Sequence, residues 1–106
     1  MTSAILRIYL SENDSCDGKP AHEKILEFMR DSKISGATVL HGIEGYGVHS
    51  KIHTTSILRL GTDLPIVVEA VDSEEKIRKI LPELCRMIPK ELITLQKVEI
   101  ISGENV

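Results

Sequence analysis

Apolar and polar residues alternate over Ala4–Leu10, and this alternation marks the first strand of the chain. Such a period of two, in a segment rich in bulky apolar residues, is typical of a strand with one buried face. One face carries Leu6, Ile8 and Leu10, and the other carries Ile5, Arg7 and Tyr9. The second face is therefore also partly apolar.

After this strand the period changes to that of an α-helix. Four apolar residues recur at helical spacing: Ala21, Ile25, Phe28 and Met29. Pro20 suits the first position of the helix, because its missing N–H group would have no partner there. The helix is predicted to end near Ile34, with Gly36 as its C-terminal cap.

A second helix follows the most strongly β segment of the chain, Ile66–Val71. Asp72 is predicted to begin this helix, with Glu75 at the capping-box position three residues later. Its buried stripe is predicted to consist of Ile77, Ile80, Leu81, Leu84, Cys85 and Ile88. Pro82 cannot donate a helical hydrogen bond, so a kink or a stop is expected near it.

Two further strands are predicted in residues 37–45 and 93–101, and residues 56–60 resume extended character. The order β-α-β-β-α-β predicts an α+β, ferredoxin-like fold in which both helices cover one face of an antiparallel sheet. The length predicts a single domain over residues 1–106, with a frayed tail at 103–106. The uncovered face would expose Ile5 and Tyr9 to water, so self-association through the sheet is predicted.

Composition narrows the partners of the chain. A net charge of −3 gives no electrostatic attraction to nucleic acid. One Phe and two Tyr are too few aromatic rings to stack against the bases of single-stranded DNA or RNA. No apolar run approaches the roughly 20 residues of a membrane span, and no signal peptide is recognisable. Cys85 is expected to be buried, and Cys16 and Cys85 form no zinc motif. A reducing cytoplasm is the expected compartment, with a disulfide between these two cysteines as the open alternative.

The stretch Gly42–Thr55 differs from its surroundings, because it holds three of the seven glycines and two of the four histidines. Its G-x-x-G-x-G pattern is neither a dinucleotide fingerprint nor a phosphate loop, since no helix follows. Such glycines let a backbone approach an anion and present N–H groups to it. Lys51, Arg59 and Lys90 are cations that could meet phosphates. A hairpin that needs its glycines for bending explains the same pattern without a ligand.

Metal binding and catalysis have less support in this stretch. His49 and His53 stand four residues apart, which suits chelation on a helix, and His41 could add a third ligand. The neighbouring glycines argue against a helix, so solvated loop histidines are the simpler interpretation. Ser50 lies three residues before His53, but nothing in the sequence orients this histidine as a base. No catalytic residue is therefore assigned.

With these elements in place, the chain resembles the PII signal-transduction superfamily, and more closely the small PII-like proteins of domain-of-unknown-function family 190. The segments that carry the resemblance are Leu6–Leu10, Gly36–Gly47, Ser50–Thr54, Asp63–Ile77 and Leu81–Leu84. They contain the motifs G-A-T-V-L, S-K-I-H-T and D-L-P-I-V-V-E. The resemblance implies a ferredoxin-like subunit that assembles as a homotrimer with its sheets packed inward.

The resemblance also implies a ligand site and a signalling loop. An adenine nucleotide is expected in a cleft between subunits, and residues 47–63 are expected to form a mobile loop that docks on a partner protein. The predicted ligand contacts are Gly45, Tyr46, Gly47 and Val48 at the loop base, Arg59 on the following strand, and Lys90 after the second helix. The predicted partner contacts are Ser50, Lys51 and His53.

The chain departs from the PII pattern in two places. PII proteins continue past the last strand into a basic segment that grips phosphates, where this chain has S-G-E-N-V, and it lacks the loop tyrosine that some of them modify. AMP or ADP is therefore the expected effector. The predicted function is a non-enzymatic regulatory trimer that acts on a partner such as a membrane transporter. The alternative is a divalent-metal-binding trimer resembling the CutA cation-tolerance family, with His49 and His53 as ligands.

Overall fold

The computed structural model describes residues 2–46, 53–54 and 64–103. The main sheet contains β1 (Ser3–Ser11), β2 (Ala37–His41), β3 (Pro65–Ser73) and β4 (Leu92–Val98), and the helices are α1 (Ala21–Asp31) and α2 (Glu74–Met87). Two short ribbons pair Ser15–Cys16 with Lys19–Pro20 and Glu44–Gly45 with His53–Thr54. The predicted strand in residues 56–60 lies outside the described residues.

The strands are arranged in the order β2-β3-β1-β4, and every neighbouring pair is antiparallel. The two central strands are therefore β1 and β3, and each is followed in the chain by a helix. This is the split βαβ arrangement, so the predicted ferredoxin-like fold is confirmed.

The hydrophobic core lies between the helices and one face of this sheet. Ala4, Leu6, Ile8 and Leu10 of β1 and Ile66, Val68 and Ala70 of β3 are all buried. The helices complete the core with Ala21, Ile25 and Met29 of α1 and Ile77, Ile80 and Leu84 of α2. The period of two in the strands and the period of 3.6 in the helices thus meet in one aliphatic cluster.

The opposite face of the sheet, called here the open face, is organised in rows that cross all four strands. The register places Leu40, Val67, Tyr9 and Leu92 side by side, and these four residues form the apolar row. The next row toward the other end of the strands contains Thr38, Glu69, Arg7 and Thr94, and is called the polar row. Among the described residues no helix covers this face, and Leu40 and Leu92 remain about half exposed, at 46% and 56%.

The end of α1 corrects one expectation. The helix ends at Asp31, and the left-handed residue after its cap is Lys33 (φ 67°), whereas Gly36 has no positive φ. Ile34 N–H donates to Met29 O and Lys33 N–H donates to Arg30 O, which is the Schellman pattern. Ile34 and Met29 are both buried. Packing of Ile34 onto the helix therefore sets the position of the turn, and a lysine rather than the nearby glycine adopts the left-handed conformation.

We expect Lys33→Gly to raise the free energy of unfolding by about 1 kcal/mol, because glycine reaches the left-handed region without a steric cost at Cβ. Denaturant unfolding measures the change. Lys79→Gly, at an exposed position inside α2, is the matched control and should lower the free energy of unfolding by about 1 kcal/mol. Equal shifts in the two variants would contradict the role assigned to Lys33.

The start of α2 corrects a second expectation. Strand β3 runs on through Asp72, and Ser73 is the N-cap, whose side-chain Oγ accepts a hydrogen bond from Lys76 N–H at 3.3 Å. Asp72 continues the buried parity of Ile66, Val68 and Ala70, so its carboxylate points into the helix layer. The N-cap of α2 is therefore Ser73, one residue after the predicted Asp72.

Two details of α2 also differ from expectation. A kink or a stop was expected near Pro82; the helix continues through it to Met87, so it does not stop there, and the kink stays a prediction. Buried residues on both sides of Pro82, Ile77 and Ile80 before it and Leu84 after it, anchor the helix where one hydrogen bond is lost. Cys85 is exposed rather than buried, because it lies at the edge of the predicted stripe, facing away from the core.

Candidate functional site

The predicted loop base begins where β2 ends. Gly42 N–H donates to Pro65 O at 2.7 Å, and Gly45 then pairs with His53 in the short ribbon. A Cβ atom on Gly42 would lie 2.8 Å from Pro65 Cγ, closer than real Cβ contacts allow. The two sides of the 47–63 segment are thus held together at Gly42 and Pro65, and a glycine is required for that approach.

Glu12 is a second element of this loop base, and sequence reasoning missed it. Its N–H donates to Leu64 O at 2.8 Å, and its Oε1 accepts from Leu64 N–H at 3.4 Å. Its Oε2 lies 3.2 Å from His41 Nε2, which donates to it in the Nε2–H tautomer. Glu12 therefore joins the end of β1 to both strands that flank the 47–63 segment. The only sequence signal for this role is that antiparallel order places the end of β1 beside the start of β3.

The described part of the predicted ligand site consists of few residues. Gly45 and Tyr46 are adjacent, and the Tyr46 ring is 74% exposed. Gly47, Val48 and Arg59 lie outside the described residues, as do the predicted partner contacts Ser50 and Lys51. His53 is described only by its backbone pairing with Gly45.

The other predicted wall, around Lys90, is an acidic neighbourhood. Lys90 is exposed in the turn after α2, where Glu91 N–H donates to Ile88 O at 3.3 Å. A depression of about 150 Å³ is lined by Lys90, Glu91 and Asp14, together with Ser15 and three apolar residues of the 87–89 turn. Two carboxylates beside one ammonium group disfavour a highly charged anion at this wall.

The structure places the two walls at the same end of the sheet but on opposite edges. The loop base follows β2, which is one edge strand, and Lys90 precedes β4, which is the other. The apolar row marks this end of the sheet, since it joins Leu40 near the end of β2 to Leu92 at the start of β4. Three strand spacings of about 4.8 Å separate the edges by roughly 14 Å. One chain therefore does not bring the two walls together.

Comparison with known proteins identifies the family. The family model of domain of unknown function 190, described as "Uncharacterized ACR, COG1993", matches residues 3–100. The chain belongs to this DUF190 family. A "UPF0166 protein" of Aquifex aeolicus (strain VF5) is 41% identical over 97 residues, which cover 92% of this chain and 91% of that protein. A UPF0166 protein of Methanocaldococcus jannaschii is 40% identical over 102 residues, covering 95% and 94%.

The DUF190 chain also matches a solved PII-like structure. CPII, described as a nitrogen regulatory PII-like protein from Thiomonas intermedia K12 and bound to ADP, AMP and bicarbonate, superimposes with a TM-score of 0.70. The two sequences are 16% identical, and the match covers 94% of this chain and 89% of that chain. The likeness shows that the DUF190 chain and this PII-like protein share a fold.

The metal-binding alternative for this DUF190 protein gains no support from the part of the chain that the structure describes. No group of three or more His, Cys, Asp or Glu side chains placed to hold a metal occurs there. His41 is paired with Glu12. His49 lies outside the described residues, so the predicted His49–His53 pair stays a prediction. Within the same ranges, no helix is both long and apolar enough to cross a bilayer.

A large open cavity of the described DUF190 chain lies away from the predicted site. It is a groove of about 740 Å³ at the other end of the sheet, bounded by residues 35–38, residues 69–71 and the segment 98–103 that follows β4. None of the predicted ligand contacts lines it. Its size therefore does not mark the site that the loop base and Lys90 indicate.

We expect Gly42→Ala to destabilise the loop base, because the new methyl group would meet the rigid ring of Pro65. The expected loss in free energy of unfolding is about 1–3 kcal/mol. Gly36→Ala is the matched control, since a Cβ atom there meets nothing within 4 Å and the backbone has no positive φ. This control should be neutral or slightly stabilising. Thermal unfolding of both variants provides the comparison, and a harmless Gly42→Ala would contradict the close approach.

Proposed function

We propose that this chain is the subunit of a homotrimeric, cytoplasmic regulatory protein that binds an adenine nucleotide between its subunits. The observation that carries the proposal is the placement of the loop base and Lys90 at one end of the sheet but on opposite edges. A neighbouring copy would supply the wall that each edge lacks. The PII-like protein CPII, which shares the fold, is described as bound to ADP and AMP.

The open face supplies a surface for such an assembly. Four apolar side chains lie in the apolar row, one from each strand, and Tyr9, Leu40 and Leu92 are among the large hydrophobic residues that the described chain exposes. Burying this row between copies removes apolar surface from water, and each Å² removed stabilises the assembly by about 25 cal/mol. Packing the sheets inward would also bring the edge of one sheet toward the edge of the next.

The nucleotide we propose is AMP or ADP. Asp14 and Glu91 share the depression with Lys90, so the wall offers little net positive charge to a triphosphate. The exposed ring of Tyr46 is available to pack against the base. The glycine-rich backbone from Gly45 onward can approach the ligand closely.

The proposed regulation acts through residues 47–63. A ligand at the loop base can change this segment only if it binds two of its conformations with different affinities. Following the resemblance, we propose a membrane transporter as the partner that distinguishes these conformations, with Ser50, Lys51 and His53 as its contacts. The proposal assigns no catalytic residue.

Isothermal titration of the purified protein with AMP, ADP, ATP and cyclic nucleotides tests the proposal. We expect heat with AMP or ADP and weaker binding of ATP. Tyr46→Ala and Lys90→Ala should each raise the dissociation constant about tenfold or more, the effect of losing one stacking or charged contact. Lys79→Ala, which removes an exposed ammonium group on the outer surface of α2, is the control and should bind as wild type does. Absence of heat with every nucleotide would remove the proposal.

A further inference from the structure

The polar row interrupts the open face with an ion pair. Arg7 Nε donates to Glu69 Oε2 at 3.0 Å, and Arg7 Nη1 donates to Gln96 Oε1 at 3.1 Å. These contacts join the three strands β3, β1 and β4 across the middle of the face. The Arg7 and Glu69 side chains are each about one-third exposed, at 33% and 31%. In the single chain about two-thirds of each side chain is therefore covered, and the exposed third faces outward from the open face.

Apolar residues flank this pair on both sides along the strands. Tyr9 and Val67 lie in the apolar row on one side, and Ile5 and Val71 pair with each other on the other side. A partner that covers these residues must also cover Arg7 and Glu69. Desolvating an ion pair costs free energy that hydrophobic side chains of the same size would not cost. Affinity alone therefore does not explain a charged pair at this position.

The charges of the face point to a second copy of the same chain as the partner. The polar row presents one cation and one anion side by side, so a copy rotated onto its neighbour can set Arg7 against the neighbour's carboxylate. Arg7 has five N–H donors, and its hydrogen bonds to Glu69 and Gln96 use two of them among the described residues. The remaining donors can reach a carboxylate of the adjacent copy in the forked geometry that guanidinium groups favour.

We infer that the polar row determines the number and orientation of copies in the assembly, while the apolar row supplies its affinity. Arg7 of one copy donates to Glu69 of the next, and this contact is satisfied in only one rotational arrangement. Polar groups at a hydrophobic interface have this function in coiled coils, where they select register and oligomeric state. The inference rests on the self-association in the proposed function, and it adds the residues that make it specific.

Variants of the two charged residues test the inference. In Glu69→Met the Arg7 guanidinium lies in the interface without the Glu69 carboxylate. In Arg7→Met the Glu69 carboxylate lies there without the Arg7 guanidinium. Each single variant should raise the dissociation constant of the assembly roughly thirtyfold or more, as for a charge left unpaired in an interface. The double variant R7M/E69M should associate as tightly as wild type but form a mixture of oligomers. Native mass spectrometry and light scattering over a dilution series measure both properties.

The control is an equivalent ion pair on the far side of the molecule. Arg78 Nε and Glu74 Oε2 lie 2.7 Å apart on α2, with side chains 59% and 20% exposed, and E74M/R78M should keep the wild-type assembly. Thermal unfolding at low concentration shows whether each variant folds. The inference is overturned if the single variants associate as wild type does, if the double variant forms one species of wild-type size, or if it dissociates as the single variants do. A wild type that is monomeric at all concentrations would instead reject the proposed assembly, and this inference with it.

Discussion

Asp72→Asn is expected to lower the free energy of unfolding by about 3 kcal/mol, the largest effect of any single polar substitution in the described chain. Asp72 is 1% exposed, and its two carboxylate oxygens accept from four donors. Ser35 N–H and Ser35 Oγ donate to Oδ2, each at 2.9 Å, and Ser73 N–H donates to Oδ1 at 2.7 Å. The Lys76 ammonium group lies 3.1 Å from Oδ2. An amide NH₂ in place of either oxygen would face donors that it cannot accept from.

Asp31→Asn is the matched control, because this carboxylate at the end of α1 is 73% exposed and lies 3.6 Å from Arg30. A surface pair of this kind contributes little, so the change should be within about 0.5 kcal/mol. Denaturant unfolding of both variants at neutral pH gives the comparison. If the two variants lose equal stability, Asp72 does not join Ser35, in the turn before β2, to the start of α2 as the structure indicates.

The same carboxylate predicts how stability depends on pH. Burial by itself would raise the pKa of Asp72, but hydrogen bonds from Ser35 N–H, Ser73 N–H, Lys76 and the Ser35 hydroxyl outweigh it and hold the pKa below its ordinary value. A lowered folded-state pKa contributes stability above the ordinary pKa of about 3.9, and this contribution is lost as the pH falls through the folded value. The stability difference between wild type and Asp72→Asn should therefore shrink below about pH 4, as measured by unfolding in acid.

Leu40→Asp is expected to yield folded monomers, with a dissociation constant at least about a hundredfold above that of wild type. Leu40 lies at the end of the apolar row opposite Val67, and half of its side chain is exposed in the single chain. An aspartate there costs the chain little, but between copies it would bury a charge and remove a leucine contact worth about 1.5–3 kcal/mol. Light scattering over a dilution series measures the change.

Cys85→Asp controls for the added charge, because Cys85 is exposed on the helix side of the molecule. This variant should assemble as wild type does. Loss of assembly in both variants would indicate that added negative charge disperses the copies, and would count against the open face as the interface. If Leu40→Asp still assembles as wild type does, the open face is not the interface.

The two faces of the sheet were predictable because the period of two is local. Leu6 and Ile8 were assigned to one face of β1, and Ile5 and Tyr9 to the other, and the structure buries the first pair. The alternation alone predicted the partly apolar open face. What it could not predict is the register between strands, and only the register places Leu40, Val67, Tyr9 and Leu92 in one row.

The errors all concern positions where tertiary packing decides between two local choices. Asp72 and Ser73 are both residue types that favour a helix N-cap. Ser73 is the N-cap because the alternation of faces along β3 directs the side chain of Asp72 into the core. Lys33 adopts the left-handed conformation although Gly36 is near, because Ile34 must reach Met29. Local propensities differ by about 1 kcal/mol at such positions, and burial of one large side chain outweighs that.

The candidate site was predictable only in part. Gly45, Tyr46 and Lys90 were chosen from glycine content, charge and resemblance. In the structure Gly45 and Tyr46 follow one edge strand, and Lys90 precedes the strand at the opposite edge. Glu12 was not predicted, because its hydrogen bond to Leu64 joins residues 52 positions apart and no local pattern encodes it. The role of Pro65, whose ring and carbonyl group hold Gly42 in place, was not predicted either.

Complementation between two variants tests most directly whether the nucleotide site is built from two copies of the chain. Tyr46→Ala alters only the loop base, and Lys90→Ala alters only the opposite edge. Each variant alone should bind AMP or ADP poorly. After the two are unfolded together and refolded as mixed assemblies, a ring of three should recover about a quarter of the wild-type sites, since each mixed ring contains one unaltered pair of walls. Titration calorimetry counts the sites. Recovery of tight binding at about that number is the predicted result, and a mixture that binds no better than the separate variants would contradict the account.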